Sequence, residues 1–216
     1  VGGINGPIGI LAALYERSAT GKGRLIDVSL MDGLVNMLGY IAQLAFFTGE
    51  DPRAQGSQHP NLVPYGIFPA TDGSIVIACL TNAFWVRVCA ALDAPHLATD
   101  PRFATIALRR DNRAAVNAIV SDFTAARSMD ELVALFTEHE VPHAPILGVT
   151  EALAQPQAIA REMVVEVDHK TLGPIPIVNR PIRFVDAAQP KPAAPPVLGE
   201  HSDEILSRVL GLSTTD

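Results

Sequence analysis

The carboxylate of Asp32 has the position in this sequence that best suits ligand binding or chemistry. It follows the stretch 25–30, whose side chains alternate between two faces as in a β-strand. From Leu34 onwards, apolar residues recur with helical spacing. Asp32 is therefore predicted at the carboxyl end of a strand and in the first turn of a helix, where open α/β sheets bind ligands and free N–H groups favour anions. The competing interpretation is that Asp32 only caps the helix.

A second group of polar side chains lies in segment 49–64, whose glycines and prolines are typical of a loop. Loops of this length in compact domains are often functional. This one carries His59-Pro60-Asn61, followed by Pro64-Tyr65. His59 and Asn61 either hydrogen-bond a carboxylate ligand and keep water from an intermediate, or are turn residues stiffened by proline. No second ligand stands at metal spacing from His59, so we expect no metal site.

Two further histidines are candidates. His143 lies in the proline-bounded extended segment 141–146, where a lone histidine is more often structural than an acid or base. His201 belongs to Leu198-Gly199-Glu200-His201, which follows a proline-rich linker over 189–197. Glu200 and His201 either line a site or cap and brace the helix that follows, and the second interpretation is slightly favoured. Candidate partners for a carboxylate are Arg53, Arg180 and Arg183.

The elements that position these residues are predicted from local patterns. The helix over 32–47 is apolar nearly all round, which predicts burial on several sides. The helix over 109–126 has mixed charge on its exposed side. Asp72-Gly73 between two apolar runs is a strong hairpin signal. Ser128 and Glu131 have the spacing of a capping box at a helix start, and Pro156 is predicted at the start of a short helix. The predicted helices cover 3–18, 32–47, 83–92, 109–126, 128–139 and 203–210, with short helices within 150–163, and the predicted strand pairs are 65–70 with 75–80 and 164–168 with 174–178.

The composition excludes several classes of protein. The 216 residues are 48% hydrophobic, which is enough to form a hydrophobic core. The net charge of −7 does not indicate the basic surface that binds nucleic acid. The longest apolar stretch, 33–47, is too short to span a bilayer. Cys79 and Cys89 lie in apolar runs and are predicted as buried thiols in a reduced compartment, with a disulfide as the weaker alternative. Helical sequence begins almost at once, so we expect the later part of a longer protein.

The stretch around Asp32 resembles the strand-to-helix segment of the class III coenzyme A transferases, which include formyl-CoA transferase and carnitine CoA-transferase. The resemblance spans nearly the whole chain and implies that Asp32, and not Asp27, attacks an acyl-CoA thioester. The residues that carry it are Gly21-Lys22-Gly23, Ile26-Asp27-Val28-Ser29, Asp32 and Leu198-Gly199-Glu200-His201.

The resemblance also implies an α/β fold. It comprises an incomplete Rossmann-like large domain, whose N-terminal part is absent, and a smaller α+β domain, in an interlocked homodimer. Residues 1–48 would belong to the large domain with the catalytic strand and helix, and 49–64 would form a linker and active-site loop. Residues 65–180 would form the small domain. Residues 181–216 would form the proline-rich linker and a C-terminal helix that returns to the large domain.

The implied activity is transfer of CoA between an acyl-CoA and a free acid through an aspartyl anhydride and an aspartyl-CoA thioester. The CoA thioester is then a substrate, and no permanently bound cofactor is expected. The expected partners are an acyl-CoA, a carboxylic acid and a second copy of the chain, without nucleic acid or membrane, in the cytoplasm. The weaker candidates for substrate or CoA binding are His59, Asn61, Tyr65, Glu200 and His201.

The sequence of the loop over 49–64 indicates which class of substrate the resemblance implies. His59-Pro60-Asn61 with Pro64-Tyr65 is similar to dicarboxylate CoA-transferases, and the glycine-rich loop of the formyl-CoA transferases is missing. One alternative is the sister activity, α-methylacyl-CoA racemase, in which the corresponding aspartate moves a proton. The other is that these residues are an inactive C-terminal fragment of such an enzyme.

Overall fold

The computed structural model describes residues 1–190 and 192–212, which divide into two compact units, Val1–Pro60 and a second unit from Asn61 onwards. Lys191, in the predicted proline-rich linker, and the last four residues of the predicted segment 181–216 lie outside the described residues. The division into four segments remains a prediction, and each unit has its own architecture.

The first unit contains three helices, α1 (Gly2–Thr20), α2 (Leu30–Asn36) and α3 (Tyr40–Thr48). Helix α1 confirms the helix predicted over 3–18. It ends at Gly21, whose φ of 68° is the left-handed conformation that glycine adopts without a steric penalty, and the Gly21 N–H donates to the Arg17 carbonyl.

The predicted strand over 25–30 is not formed. Residues 22–29 connect α1 to α2, and no segment of the described chain pairs with them. A strand exists only where a neighbour satisfies its backbone N–H and C=O groups, so an alternating pattern alone does not produce one.

The single buried helix predicted over 32–47 is also wrong. Gly39, with a φ of 53°, separates α2 from α3, and the two helices are bent by 71°. Neither helix is buried in this unit, since Phe46 and Phe47 are 79% and 87% exposed. In the part of the chain that the structure describes, no one helix has the length and hydrophobicity to cross a membrane; only α2 and α3 taken together as a bent pair would.

A three-stranded antiparallel sheet organises the second unit, in the order β1 (Tyr65–Pro69), β2 (Ser74–Ala78), β3 (His143–Pro145). The β1–β2 hairpin confirms the first predicted pair, with Tyr65 opposite Ala78. The extended segment predicted around His143 forms the third strand, with His143 opposite Ile77.

Helices pack beside this sheet: α4 (Asn82–Ala91), a 3-10 turn (Pro95–Ala98), α5 (Ile106–Asp111), α6 (Arg113–Ala125) and α7 (Met129–Glu138). The helix predicted over 109–126 is interrupted at Asn112, so it becomes α5 and α6. Helix α7 begins with the predicted capping box. The Glu131 carboxylate accepts from the Ser128 N–H at 2.8 Å, and the Ser128 hydroxyl accepts from the Glu131 N–H at 3.4 Å.

The remaining elements are α8 (Val149–Leu153), α9 (Pro156–Ala160), β4 (Val164–His169), β5 (Gly173–Val178) and α10 (Ser202–Leu210). The antiparallel β4–β5 pair and the final helix confirm their predictions, and α9 begins at the predicted proline.

The hydrophobic core lies in the second unit. Cys79 and Cys89 are buried there as free thiols, which confirms that part of the prediction. Gly33 is the one buried residue among the described residues of the first unit. The core is built from β1, β2, α4, α6 and α7, and its largest side chains are Phe68, Ile75, Ile77, Trp85, Val88, Phe103, Val116, Val120, Leu132 and Phe136.

Candidate active site

Asp32 lies in the first turn of α2, as the sequence predicts. The cap of this helix is Ser29, whose hydroxyl oxygen accepts a hydrogen bond from the Asp32 N–H at 3.2 Å. The Asp32 side chain is exposed, and no described residue forms an ion pair or hydrogen bond with its carboxylate. Because Ser29 already caps the helix, the capping interpretation does not account for this carboxylate.

Gly33 fixes the backbone beside Asp32. A Cβ atom at this position would lie 2.6 Å from Val1 Cγ1 and 3.2 Å from Asn5 Nδ2, both on or beside α1. The side chains of Val1 and Asn5 therefore pack directly against the first turn of α2, and a larger residue at position 33 would displace them.

His59, in the same unit, is half-buried beside Tyr40. The two rings are stacked at 6.2 Å with an interplanar angle of 12°, and the Tyr40 hydroxyl lies 3.5 Å from His59 Nε2. The sequence does not assign Tyr40 to the site, because its place in an apolar helical stripe predicts a core residue.

Asn61 and Tyr65 flank two buried residues at the start of the second unit. Asn61 is exposed and Tyr65 is half-buried at the first position of β1. Between them, the Val63 carbonyl accepts from Arg109 Nε at 2.9 Å, and the Pro64 carbonyl accepts from the Cys79 N–H at 2.9 Å. This segment is therefore held at two consecutive carbonyl groups.

Arg109 is completely buried, so it does not belong to the charged, exposed side of the helix predicted over 109–126. Its Nη1 donates to the Phe103 carbonyl at 2.9 Å and its Nη2 to Asn82 Oδ1 at 3.0 Å, while the guanidinium lies 5.4 Å from the centre of the Trp85 ring. Burial lowers the pKa of Arg109 below its ordinary value. The local sequence pattern does not predict these contacts of Arg109, because the acceptor Val63 is 46 positions away.

Glu200 makes contacts that fit the bracing interpretation. Its carboxylate accepts from the Val197 N–H at 2.9 Å and lies 3.2 Å from Lys170 Nζ. The hydrogen bond from Val197, and then Lys170, hold the pKa of Glu200 below its ordinary value. His201 is exposed at the start of α10, 3.7 Å from the Glu204 carboxylate.

Three of the other candidates are occupied by contacts within the protein, whereas Arg53 is exposed. His143 Nδ1 donates to the Val141 carbonyl at 2.7 Å, and its ring packs against Phe136, as expected of a structural histidine. Arg180 donates to the Pro190 carbonyl. Arg183 donates to the Arg161 carbonyl and pairs with Glu162 at 3.0 Å.

The cysteines do not supply a nucleophile. Burial raises the pKa of Cys79 to about 11 and that of Cys89 to about 12, so both are protonated thiols at neutral pH. Within residues 1–190 and 192–212, no three His, Cys, Asp or Glu side chains are grouped to hold a metal ion.

The candidate residues thus lie in two units: Asp32 and His59 in the first, and Asn61, Tyr65, Glu200 and His201 in the second.

Comparison with known proteins places these residues in context. A family model described as CoA-transferase family III matches residues 1–202. The chain is 31% identical to a succinyl-CoA--D-citramalate CoA-transferase of Chloroflexus aurantiacus, over 97% of this chain and 52% of that protein. It is 31% identical to the human succinyl-CoA:glutarate CoA-transferase, over 93% of this chain and 46% of that protein.

A crystal structure of a CAIB/BAIF family protein from Brucella suis matches with a TM-score of 0.79 and 35% identity, over 96% of this chain and 54% of that one. The chain spans about half the length of the curated relatives it matches.

Proposed function

We propose a function from the premise that this chain belongs to CoA-transferase family III, whose family model spans residues 1–202. The protein that contains it transfers CoA from an acyl-CoA to a free dicarboxylic acid, and Asp32 is the nucleophile. The observation that carries this proposal is the exposed Asp32 carboxylate, without a partner among the described residues, in the first turn of a helix that Ser29 caps.

The reaction divides one acyl transfer into four displacements. Asp32 attacks the thioester carbonyl, which forms a mixed anhydride and releases the CoA thiolate. The thiolate attacks the aspartyl carbonyl, which forms an aspartyl-CoA thioester and releases the first acid. The incoming carboxylate attacks this thioester, forming a second anhydride and again freeing the CoA thiolate. The thiolate then attacks the new acyl carbonyl and restores the Asp32 carboxylate.

Asp32 needs orientation more than activation, since a carboxylate attacks without a general base. The contact of Gly33 with α1 supports this role, because it fixes the backbone on which Asp32 stands. An anhydride hydrolyses readily, so the site must also exclude water. We assign substrate binding to His59, Asn61 and Tyr65. Glu200 and His201 act more weakly, by bracing the segment before α10.

The acceptor class follows from the relatives. Two of them are named for D-citramalate and glutarate, which are both dicarboxylic acids, with succinyl-CoA as the partner. Succinyl-CoA is therefore the donor to test first. The polar side chains of Asn61 and Tyr65 would bind the carboxylate that does not react.

The first unit supports a larger assembly. Its helices leave apolar side chains exposed, and residues 22–29 have no strand partner within the described residues. We propose that a Rossmann-like large domain, completed by chain outside these residues, pairs with 22–29, and that the whole protein is a homodimer. A monomeric mass by light scattering at micromolar concentration would contradict the dimer.

The test is to incubate the full-length protein with succinyl-CoA, quench with hydroxylamine and measure the intact mass and the modified peptide. Hydroxylamine converts an activated aspartyl carbonyl to a hydroxamate. We expect the hydroxamate on Asp32 in the wild type and in Asp27→Ala, and none in Asp32→Ala.

Two other outcomes would contradict the proposal. Deuterium exchange of the α-proton of a 2-methylacyl-CoA, without a hydroxamate or any need for an acceptor acid, would indicate a racemase. The absence of both reactions from the full-length protein would indicate a chain that has lost its chemistry.

A further inference from the structure

The guanidinium of Arg109 is an unusual group to find in the core of the second unit. It is fully buried, and no carboxylate of the described residues pairs with it. Its bonds go to three neutral acceptors, the carbonyls of Val63 and Phe103 and the side-chain oxygen of Asn82. Taking a charge out of water is costly even when it is well hydrogen-bonded.

Filling space does not account for this residue. Apolar side chains that replace buried charges often leave stability unchanged or improve it. An arginine at this position supplies something that an apolar residue does not, which is a rigid set of donors in fixed directions. Two of its acceptors, on α4 and in the turn before α5, orient the guanidinium, which lies 5.4 Å from the centre of the Trp85 ring.

The third acceptor lies in the segment from Asn61 to Tyr65. Arg109 Nε donates to the Val63 carbonyl, and the next carbonyl, that of Pro64, accepts from Cys79 at the end of β2. Val63 is 1% exposed, whereas Asn61 is exposed and Tyr65 is half-buried. The buried centre of the segment is therefore anchored, with the exposed Asn61 before the anchor and the half-buried Tyr65 after it.

We propose that Arg109 is a positioning residue for acid recognition. By holding the Val63 carbonyl it places Asn61 and Tyr65 where they bind the incoming dicarboxylic acid. This inference rests on the proposed function, and Arg109 itself does not touch the substrate.

The test compares Arg109→Lys with wild type in the full-length protein, with succinyl-CoA as donor and glutarate as acceptor. Lysine keeps the charge but cannot reach three acceptors in fixed directions. We expect the KM for glutarate to rise on the order of tenfold, because small displacements of binding groups are costly, while kcat changes by less than about twofold. We also expect the Cys79 amide to exchange faster with deuterium.

A matched control separates positioning from general destabilisation. Val120→Ala removes buried volume from α6 and leaves Arg109 and its three acceptors in place, so it should lower Tm without changing the KM for glutarate. If Arg109→Lys lowers Tm but leaves KM and the Cys79 exchange rate at the Val120→Ala values, the inference is wrong.

Two further outcomes are informative. If Arg109→Lys does not fold, Asn82→Ala removes one acceptor that orients the guanidinium without touching the segment. We then expect a smaller rise in KM, on the order of threefold, and an unchanged KM would overturn the inference. If wild type transfers no CoA to any dicarboxylic acid, the proposed function fails. The deuterium exchange rate of the Cys79 amide, compared between wild type and Arg109→Lys, still decides whether Arg109 anchors the segment.

Discussion

At the scale of single residues, the site depends on backbone placement as much as on side-chain chemistry. Asp32 was predicted in the first turn of a helix, and it lies there because Ser29 caps α2 and Gly33 admits α1. The carboxylate itself forms no ion pair with the described residues. Its position is therefore set by its neighbours, and substitutions of those neighbours test the placement.

Gly33→Ala should impair the reaction although it leaves Asp32 in the sequence. The new Cβ would meet the Val1 side chain at 2.6 Å, and we expect part of that clash to be relieved by a shift of α2. We expect kcat of the full-length protein to fall by about 10- to 100-fold, since misplacement by about 1 Å has effects of that size. Gly3→Ala is the control, because a Cβ at Gly3 meets nothing within 4 Å. Equal rates for the two variants would show that the contact does not position Asp32.

Glu200→Gln should show a pH-dependent loss of stability. The pKa of Glu200 is lowered in the folded protein by the Val197 N–H and Lys170, so its contribution is present above its unfolded pKa and is lost as pH falls through the lowered value. We expect the variant to have the lower Tm at pH 7, and the two curves to converge below about pH 4. A Tm difference that stays constant between pH 3 and pH 7 would exclude an ionic contribution.

At the scale of elements, α7 has the most explicit start signal in the chain. Ser128→Ala removes the hydroxyl that accepts from the Glu131 N–H, and we expect the free energy of unfolding to fall by about 1 kcal/mol. Ser128→Asp keeps an acceptor at the cap and should remain close to wild type. Denaturant unfolding of the three proteins provides the comparison, and equal loss in both variants would rule out capping as the cause.

The elements that the sequence predicts are those whose causes are local. A turn at Asp72-Gly73, the Ser128 capping box and the proline that begins α9 each act within a few residues, and each element forms as predicted. Hydrophobic periodicity predicted the wrong element where a helix is interrupted or where a strand would need a pairing partner. Gly39 divides one predicted helix and Asn112 another. Stretch 25–30 has a strand pattern, but no described segment pairs with it.

In the candidate site, too, the features with local causes are predictable from sequence and the long-range contacts are not. The first-turn location of Asp32 depends on about ten neighbouring residues, so the sequence predicts it. The burial of Arg109 depends on Val63 and Asn82, which are 46 and 27 positions away. The stack of Tyr40 on His59 likewise joins residues 19 positions apart. Contacts of this kind arise from packing, which no local pattern encodes.

At the scale of the whole molecule, the two units differ in what stabilises them. The large buried side chains all lie in the second unit, around β1, β2, α4, α6 and α7. The first unit keeps Phe46, Phe47 and other apolar side chains exposed. The second unit therefore has the interior that independent folding requires, and the first does not.

A fragment that begins at Asn61 should fold alone. Trp85 is the single tryptophan of the chain and is 1% exposed, so its emission reports burial directly. We expect blue-shifted emission and a cooperative transition in urea, whereas residues 1–60 alone should show no cooperative unfolding by circular dichroism. Emission from the Asn61 fragment that matches the urea-unfolded state would mean that its core needs the first unit.

The burial of Cys79 and Cys89 has a consequence for a protein that works on thioesters. Under the proposed reaction, a free CoA thiolate is released twice in every turnover, and oxidised CoA disulfides accompany it in any cell. Disulfide exchange requires a protein thiolate, and with a pKa of about 11 only about one Cys79 in ten thousand is ionised at pH 7. Burial and protonation therefore protect Cys79 and Cys89 from mixed disulfides with CoA, and we expect neither to be modified when the protein is incubated with oxidised CoA.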